Sequence, residues 1–207
     1  MENITEGNLE ILVIHKKDLI EVIKVHKASF KGFFLTELGD HFLRVYYNCV
    51  RKDNRGILLG LYKNEELIGF CAATVLSKGF NKHLVKNNFL QFSFIGLWLL
   101  FTRTSSLIRL LRNFNKSNSV YADDGIYAEL LSIGVSAKQQ GQGVGKKLLL
   151  KLENEMNQKG CRYLSLTTDF YDNESTLNFY NALGYKIMYD FIAYPNRRMY
   201  RMKKKLD

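Results

Sequence analysis

The chain has 207 residues, 46% hydrophobic, 13% aromatic and 24% charged, which supports one buried core and excludes a disordered chain; a single proline and no tandem self-similarity exclude Pro-rich linkers and repeat arrays. Three widely spaced cysteines, Cys49, Cys71 and Cys161, exclude a disulfide framework and a structural zinc site. The formal net charge of +10 is uneven: residues 77–119 hold seven Lys or Arg and no acid, and residues 197–207 hold six bases and one acid, which favours a polyanionic ligand (a phosphorylated cofactor, a nucleotide-sugar, nucleic acid or an anionic lipid surface) or else a plain solvated basic surface.

The polar, acidic start MENITEGNLE carries no secretory signal, so a cytoplasmic protein is expected. Residues 9–14 (LEILVI) read as a strand, and residues 18–30 place Leu19, Ile20, Ile23, Ala28 and Phe30 at helical spacing. A second helix fits residues 36–50. After a turn at Asn54, Arg55 and Gly56, the β-rich runs 57–62 and 67–76 flank Lys63, Asn64 and Glu65 as an antiparallel hairpin. Residues 77–119 break the alternation. The apolar stretch 89–101 (FLQFSFIGLWLLF) precedes a basic amphipathic piece, 105–114, in which Leu107, Ile108, Leu110 and Leu111 oppose Arg103, Arg109 and Arg112. The uncharged run 87–102 is shorter than the ~20 residues that span a bilayer core. One or two inserted helices are therefore expected. They either pack on the domain and cover its cleft or touch an anionic membrane through residues 89–114. Asp123, Asp124 and Gly125 form a turn. Residues 127–135 (YAELLSIGV) then read as a strand, and Val144, Leu148, Leu149, Leu152 and Met156 mark a helix ending near Gly160. A strand at 161–168, a helix at 173–183 and closing strands at 185–193 and 199–205, joined through Pro195 and Asn196, complete the pattern.

Between the strand ending at Val135 and the helix beginning near Val144 lies a glycine loop. A helix N-terminus offers unpaired N–H groups and the positive end of the macrodipole, a natural seat for phosphate, and glycines let the backbone come close. The loop fits neither a P-loop, which needs glycine at Gln140 and Ser or Thr at Lys147, nor a dinucleotide fingerprint, which needs glycine at Lys146. Instead Gln140, Gly143 and Gly145 match [Arg/Gln]-x-x-Gly-x-[Gly/Ala]. Downstream, NESTLNFYNALGY at residues 173–185 is similar to Asn-x-x-[Ala/Ser/Thr]-x-x-[Phe/Leu]-Tyr-x-x-x-Gly-[Phe/Tyr]. With both motifs in order, the chain resembles the GNAT (GCN5-related N-acetyltransferase) family outside residues 77–119.

That resemblance implies a single α/β (α+β) domain over residues 1–207, with a mixed sheet of about seven strands flanked by helices and a helical insertion at 77–119 between strands three and four. It implies an acetyl-CoA-dependent enzyme with no metal. Gln140, Gly141, Gln142, Gly143, Val144, Gly145 and Lys146 would cradle the CoA pyrophosphate, Ile133, Gly134 and Val135 would pair with the pantetheine arm, and Asn173 would contact CoA or simply cap its helix. A backbone N–H near Ile133 or Gly134 could polarise the acetyl carbonyl. Tyr180 matches the family's general acid, with packing beside Phe179 as the plain alternative. Glu129, flanked by Leu130 and Leu131, resembles the general base of the histone acetyltransferase branch, and a water chain is the alternative. Asp123 and Asp124 come next as bases or as a mere turn, and Asp169 and Asp172 read as loop residues. His15, His26, His41 and His83 have no metal spacing, so packing or surface roles are expected. The implied reaction is direct attack by an amine in a ternary complex. The acceptor is expected to be an amino-sugar on a nucleotide or lipid diphosphate, with Phe33 and Phe34 walling the cleft and the basic tail holding the diphosphate. A protein or small-molecule amine, a non-catalytic CoA-binding membrane module and a homodimer remain alternatives, and nucleic acid is disfavoured for want of a recognisable module.

Overall fold

The computed structural model describes residues 8–105, 108, 123–193 and 195–207. Seven strands, β1 Leu9–Val13, β2 Gly56–Lys63, β3 Glu66–Thr74, β4 Ala128–Val135, β5 Tyr163–Asp169, β6 Lys186–Ala193 and β7 Arg197–Lys205, form one sheet in the order β1-β2-β3-β4-β5-β7-β6. β4 and β5 run parallel, and every other neighbouring pair is antiparallel. Helices α1 Leu19–Ser29, α2 Phe34–Glu37, α3 Gly39–Lys52, α4 Phe80–Asn87 and α5 Phe89–Thr102 precede β4, while α6 Val144–Gln158 follows β4 and α7 Glu174–Ala182 follows β5.

The central strands are apolar almost throughout because helices cover both faces of the sheet. In β2, Leu58 joins the core under α1 and α3, while Ile57, Leu59 and Leu61 join the core under α6. Asn64 and Glu65 both take positive φ, which lets a two-residue turn follow the twist of the β2–β3 hairpin. α1 buries Leu19, Val22, Ile23, Val25 and His26. Ile20 and Ala28, grouped with the apolar stripe by sequence, instead fall on the solvent arc with Lys24 and Lys27, because Leu19, Val22, Ile23 and His26 follow the i, i+3, i+4, i+7 rule.

The helix expected over residues 36–50 is broken into α2 and α3. The break lies at Leu38 and Gly39, where Gly39 has φ +88° and the Arg103 guanidinium stands 3.5 Å from the place its Cβ would take. Arg103 also donates from Nη1 to the Glu37 carbonyl, so the C-terminal end of α5 is stitched onto this break. α4 and α5 meet at a bend of 95°, and α5 packs Ile95 and Leu99 into the core shared with α3. The rest of the amphipathic piece, beyond Ser105 and Ile108, lies outside the described residues. On the other face, α6 buries Val144, Leu148, Leu149, Leu152 and Met156. Glu153 is buried beside them, accepting from Tyr185 Oη at 2.9 Å and from Lys204 Nζ at 2.6 Å.

Candidate active site

The parallel pair β4–β5 has only three rungs, Ala128 with Leu164, Glu129 with Ser165 and Leu130 with Leu166. Beyond them the strands part. A bulge assists: Ala73 faces Leu130 but Ala72 faces Ser132, leaving Leu131 as an extra residue on β4. Bulges bend the strand that carries them, and this one resets the alternation. Leu130 and Ile133 pack toward α6, while Leu131 packs toward α1 and α3. The backbone of Ile133, Gly134 and Val135 is thus left without a β5 partner. Gly134 is required there, since a Cβ would stand 2.9 Å from a Phe70 ring carbon and 3.1 Å from Ser29 Oγ.

The chain then turns through residues 137–139 into the glycine loop. Gly141 and Gly143 have φ of +78° and +77°, and the space a Cβ would fill is open at both. Gln142 Nε2 donates to the Lys138 carbonyl at 3.0 Å, and Gln140 Nε2 reaches the Val135 carbonyl at 3.4 Å, so both glutamines brace the loop. The amide of Lys147 bonds to the Gly143 carbonyl at 3.0 Å. The amides of Val144, Gly145 and Lys146, one turn earlier, have no acceptor within the helix. Left-handed glycines with open space, unpaired first-turn amides and the positive end of a 15-residue helix together fit a diphosphate.

Tyr180 on α7 lies in the α6-side core, edge-on to Phe179 at 5.1 Å and to Tyr185 at 5.6 Å. Burial, aided by the nearby Cys71, raises its phenol above the ordinary range. Burial also pushes the Cys71 thiol up to about 12, so that cysteine is an inert neighbour. Asn173 stands at the start of α7 but does not cap it with its side chain. Its Nδ2 donates instead to Thr168 Oγ1 at 2.7 Å and to the Asp169 carbonyl at 2.8 Å, fastening the helix start to the end of β5.

Glu129 projects from the opposite face of β4. It is not framed by Leu130, which points toward α6. Glu129 Oε1 accepts from Arg201 Nη1 at 2.5 Å, and Oε2 accepts from Ser77 Oγ at 2.5 Å. Burial opposes the charge on Arg201, but Glu129, Tyr127 and Tyr189 outweigh it and hold the guanidinium more firmly protonated than usual. Tyr46 on α3 is buried beside the pair, and both burial and the Glu129 charge raise its phenol. Asp123 is more than a turn residue. It accepts from Tyr127 Oη, Tyr189 Oη and the Gly125 amide. Burial would raise its carboxyl, but these hydrogen bonds prevail and lower it. Asp124 only closes the turn, accepting from the Ile126 amide at 2.9 Å.

The basic tail is less open than its composition suggests. Arg197 is held in both carboxylate oxygens of Asp169 at 2.5 and 2.6 Å, Arg198 pairs with Asp190, Arg201 with Glu129 and Lys204 with Glu153. Strand alternation makes this hard to read in sequence, because each partner lies on another strand or helix. Arg197 also covers the Phe33 ring at 4.1 Å and Arg198 the Phe170 ring at 3.8 Å, giving the cleft mouth an aromatic and guanidinium rim. Asp172 has a positive φ of 51° in the loop before α7. Among the histidines, His26 is buried against Tyr47, with His26 Nδ1 and Tyr47 Oη 2.7 Å apart, and His83 pairs with Asp53 at 2.9 Å. Among the described residues no group of three or more His, Cys, Asp or Glu could hold a metal.

The acetyltransferase (GNAT) family model matches residues 21–185, spanning the split strands, the glycine loop and α7. The chain belongs to the GNAT family. It is accordingly an acetyl-CoA-dependent N-acetyltransferase, with acetyl-CoA as its cosubstrate. No curated protein matches it in sequence. Solved structures similar to this GNAT chain include the ribosomal-protein-S18-alanine N-acetyltransferase from Escherichia coli, at 14% identity with a TM-score of 0.62 over 97% of this chain and 95% of that one. An N-acetyltransferase from Staphylococcus aureus Mu50 matches at 15% identity and TM-score 0.63, over 97% and 100% of the chains. The paia N-acetyltransferase from Thermoplasma acidophilum, in complex with coenzyme A, matches at 17% and 0.54, over 96% and 99%. At such identities the likeness concerns the fold.

Arg201, Ser77, Tyr127 and Tyr189 were not among the candidate site residues. The spacing of charges in sequence carries no hint of them. Only the strand order, which sets β7 beside β5 and the start of the insertion beside β4, brings them to Glu129 and Asp123.

Proposed function

We propose that this GNAT enzyme acetylates a primary amine by direct attack in a ternary complex, and that the amine belongs to an amino-sugar carried on a nucleotide or lipid diphosphate. The carrying observation is the parting of β4 from β5 directly before the open glycine loop. An extended arm fits the gap and a diphosphate fits the loop, in one continuous track. Ile133, Gly134 and Val135 offer backbone to the arm, Gln140, Gly141, Gln142, Gly143, Val144, Gly145 and Lys146 hold the phosphates, and Asn173 borders the same track. Acetyl-CoA supplies the activated acetyl group. Tyr180 and Glu129 lie on opposite faces of the sheet, Glu129 on the middle rung of the β4–β5 contact just before the gap. Tyr180 keeps its proton through the neutral range, as suits donation to a departing thiolate. Glu129, with both oxygens engaged by Ser77 and Arg201, accepts the amine's proton through an intervening water. Phe33 and Phe170 are covered by Arg197 and Arg198, so the exposed ring of Tyr171, edge-on to Phe170 at 4.8 Å, is the aromatic face left for a sugar ring. Because Arg197 and Arg198 are already ion-paired, a diphosphate on the acceptor must compete with Asp169 and Asp190.

Thiol release from acetyl-CoA, measured across amino-sugar nucleotides, peptides and polyamines, with mass spectrometry of the products, tests this reading. Acetylation confined to peptides would overturn the acceptor assignment. Tyr180→Phe should lower kcat by about 100-fold or more while leaving the affinity for acetyl-CoA nearly unchanged. A variant with the wild-type rate across the pH range would remove Tyr180 from the mechanism.

A further inference from the structure

α5 is apolar on both sides, and among the described residues only one side has a partner. Ile95 and Leu99, 1% and 0% exposed, fill the core against α3. On the opposite arc Leu90, Phe94, Leu97 and Phe101 are 72%, 71%, 54% and 80% exposed. Their spacing of four, three and four residues draws one continuous stripe along the helix. A stripe of this size on a protein surface marks an interaction site.

Charge identifies the partner. The insertion that carries the stripe, residues 77–119, has seven bases and no acid, including Lys82 and Lys86 on α4 and Arg103 at the end of α5. Trp98, at the edge of the stripe, meets His41 of α3 at 6.1 Å. There the surface passes into a hollow of about 590 Å3 lined by Ile20, Ile23, Lys24, Lys27, Asp40, His41 and Arg44, where Lys24 is shared with Glu21 and Lys27 with Asp40 and Arg44 adds a further base. An apolar stripe flanked by cations matches the layered chemistry of a bilayer whose surface is anionic, acyl chains against the stripe and phosphate headgroups against the bases. A nucleic acid would satisfy the cations and leave the stripe in water. Among the described residues no single helix is long and apolar enough to cross a membrane, and Ile95 and Leu99 hold α5 on the domain core, so the contact made by its outer stripe lies in the plane of the surface.

We infer that the enzyme docks on anionic lipid bilayers through the outer stripe of α5, with Arg44 of α3 and the exposed Lys82 and Lys86 of α4 supplying the positive charge. Trp98 is the chain's one tryptophan and reports the event. The full chain should float with vesicles of phosphatidylcholine and phosphatidylglycerol, with a blue shift of Trp98 emission. It should float poorly with phosphatidylcholine alone, and the bound fraction should fall with added salt. Leu97→Asp combined with Phe94→Ser should reduce the bound-to-free ratio by about ten-fold or more. Its circular dichroism and its acetyl-CoA affinity by calorimetry should match the parent, since neither side chain touches the core or the glycine loop. Lack of flotation by the parent chain overturns the inference. So does a Trp98 shift that follows protein concentration without vesicles, which would assign the stripe to a second copy. Unchanged flotation by a folded double variant overturns it as well.

Discussion

Arg201 and Glu129 are both largely withdrawn from water, at 14% and 17% side-chain exposure, and each is the other's counter-ion. Removing one leaves a charge stranded where solvation is poor, which costs more than the pair contributes. Arg201→Met should therefore lower stability by about 3 kcal/mol in urea denaturation. Adding Glu129→Gln should restore part of the loss, because the stranded carboxylate is then gone. His26 gives a pH-dependent counterpart. Burial lowers its pKa from 6.5 to about 4, so between those values the unfolded chain binds the proton and the folded chain does not. Stability from this residue is complete above pH 6.5, declines as pH falls, and the loss levels off near 4 at about 3 kcal/mol. Denaturation at pH 7 and at pH 4.5 checks this, with His26→Phe showing a smaller difference between the two.

At the scale of elements, the glycine loop and α6 were legible because a short local segment carries both the phosphate chemistry and the apolar stripe. Gly143 has a positive φ and open space beyond it. Gly143→Ala should accordingly cost about 1 kcal/mol in backbone strain and weaken acetyl-CoA binding several-fold in calorimetry without unfolding the enzyme. The helix that carries Tyr180 was legible for the same reason, since its motif is one continuous segment, residues 173–185. The surroundings of Glu129 were not. Ser77, Arg201 and Tyr46 come from three elements far apart in the chain, and apolar neighbours in sequence suggested an apolar setting that strand alternation denies. The break at Gly39 was equally hidden, because its reason is Arg103, more than sixty residues later. Asn173 matched both a motif and a helix cap, and only its bonds to Thr168 and Asp169 separate it from the latter.

On the scale of the whole molecule, two cores lie on the two faces of one sheet and share β2 and β3. Neither can persist once those strands are lost, so the chain should unfold as one unit. Trp98 emission follows the α3–α5 side and far-ultraviolet circular dichroism follows the whole. Their urea transitions should coincide, and an earlier Trp98 transition would show the insertion melting alone. The alternation of strands and helices and the β2–β3 hairpin were readable from the periods along the chain, the mixed seven-strand sheet rested on the family resemblance, and the order of the strands was not legible at all.

The three-rung contact between β4 and β5 also bears on how the enzyme rests between turnovers. On the proposed reading the cosubstrate's arm supplies the main-chain partner that β5 does not give to residues 133–135, so binding would close a seam in the middle of the sheet. Heavy-water exchange at residues 131–135 should slow when acetyl-CoA is added, and the melting temperature should climb with its concentration. If both hold, the cosubstrate serves as a removable splint whose concentration sets the stability of the fold as well as the occupancy of the site.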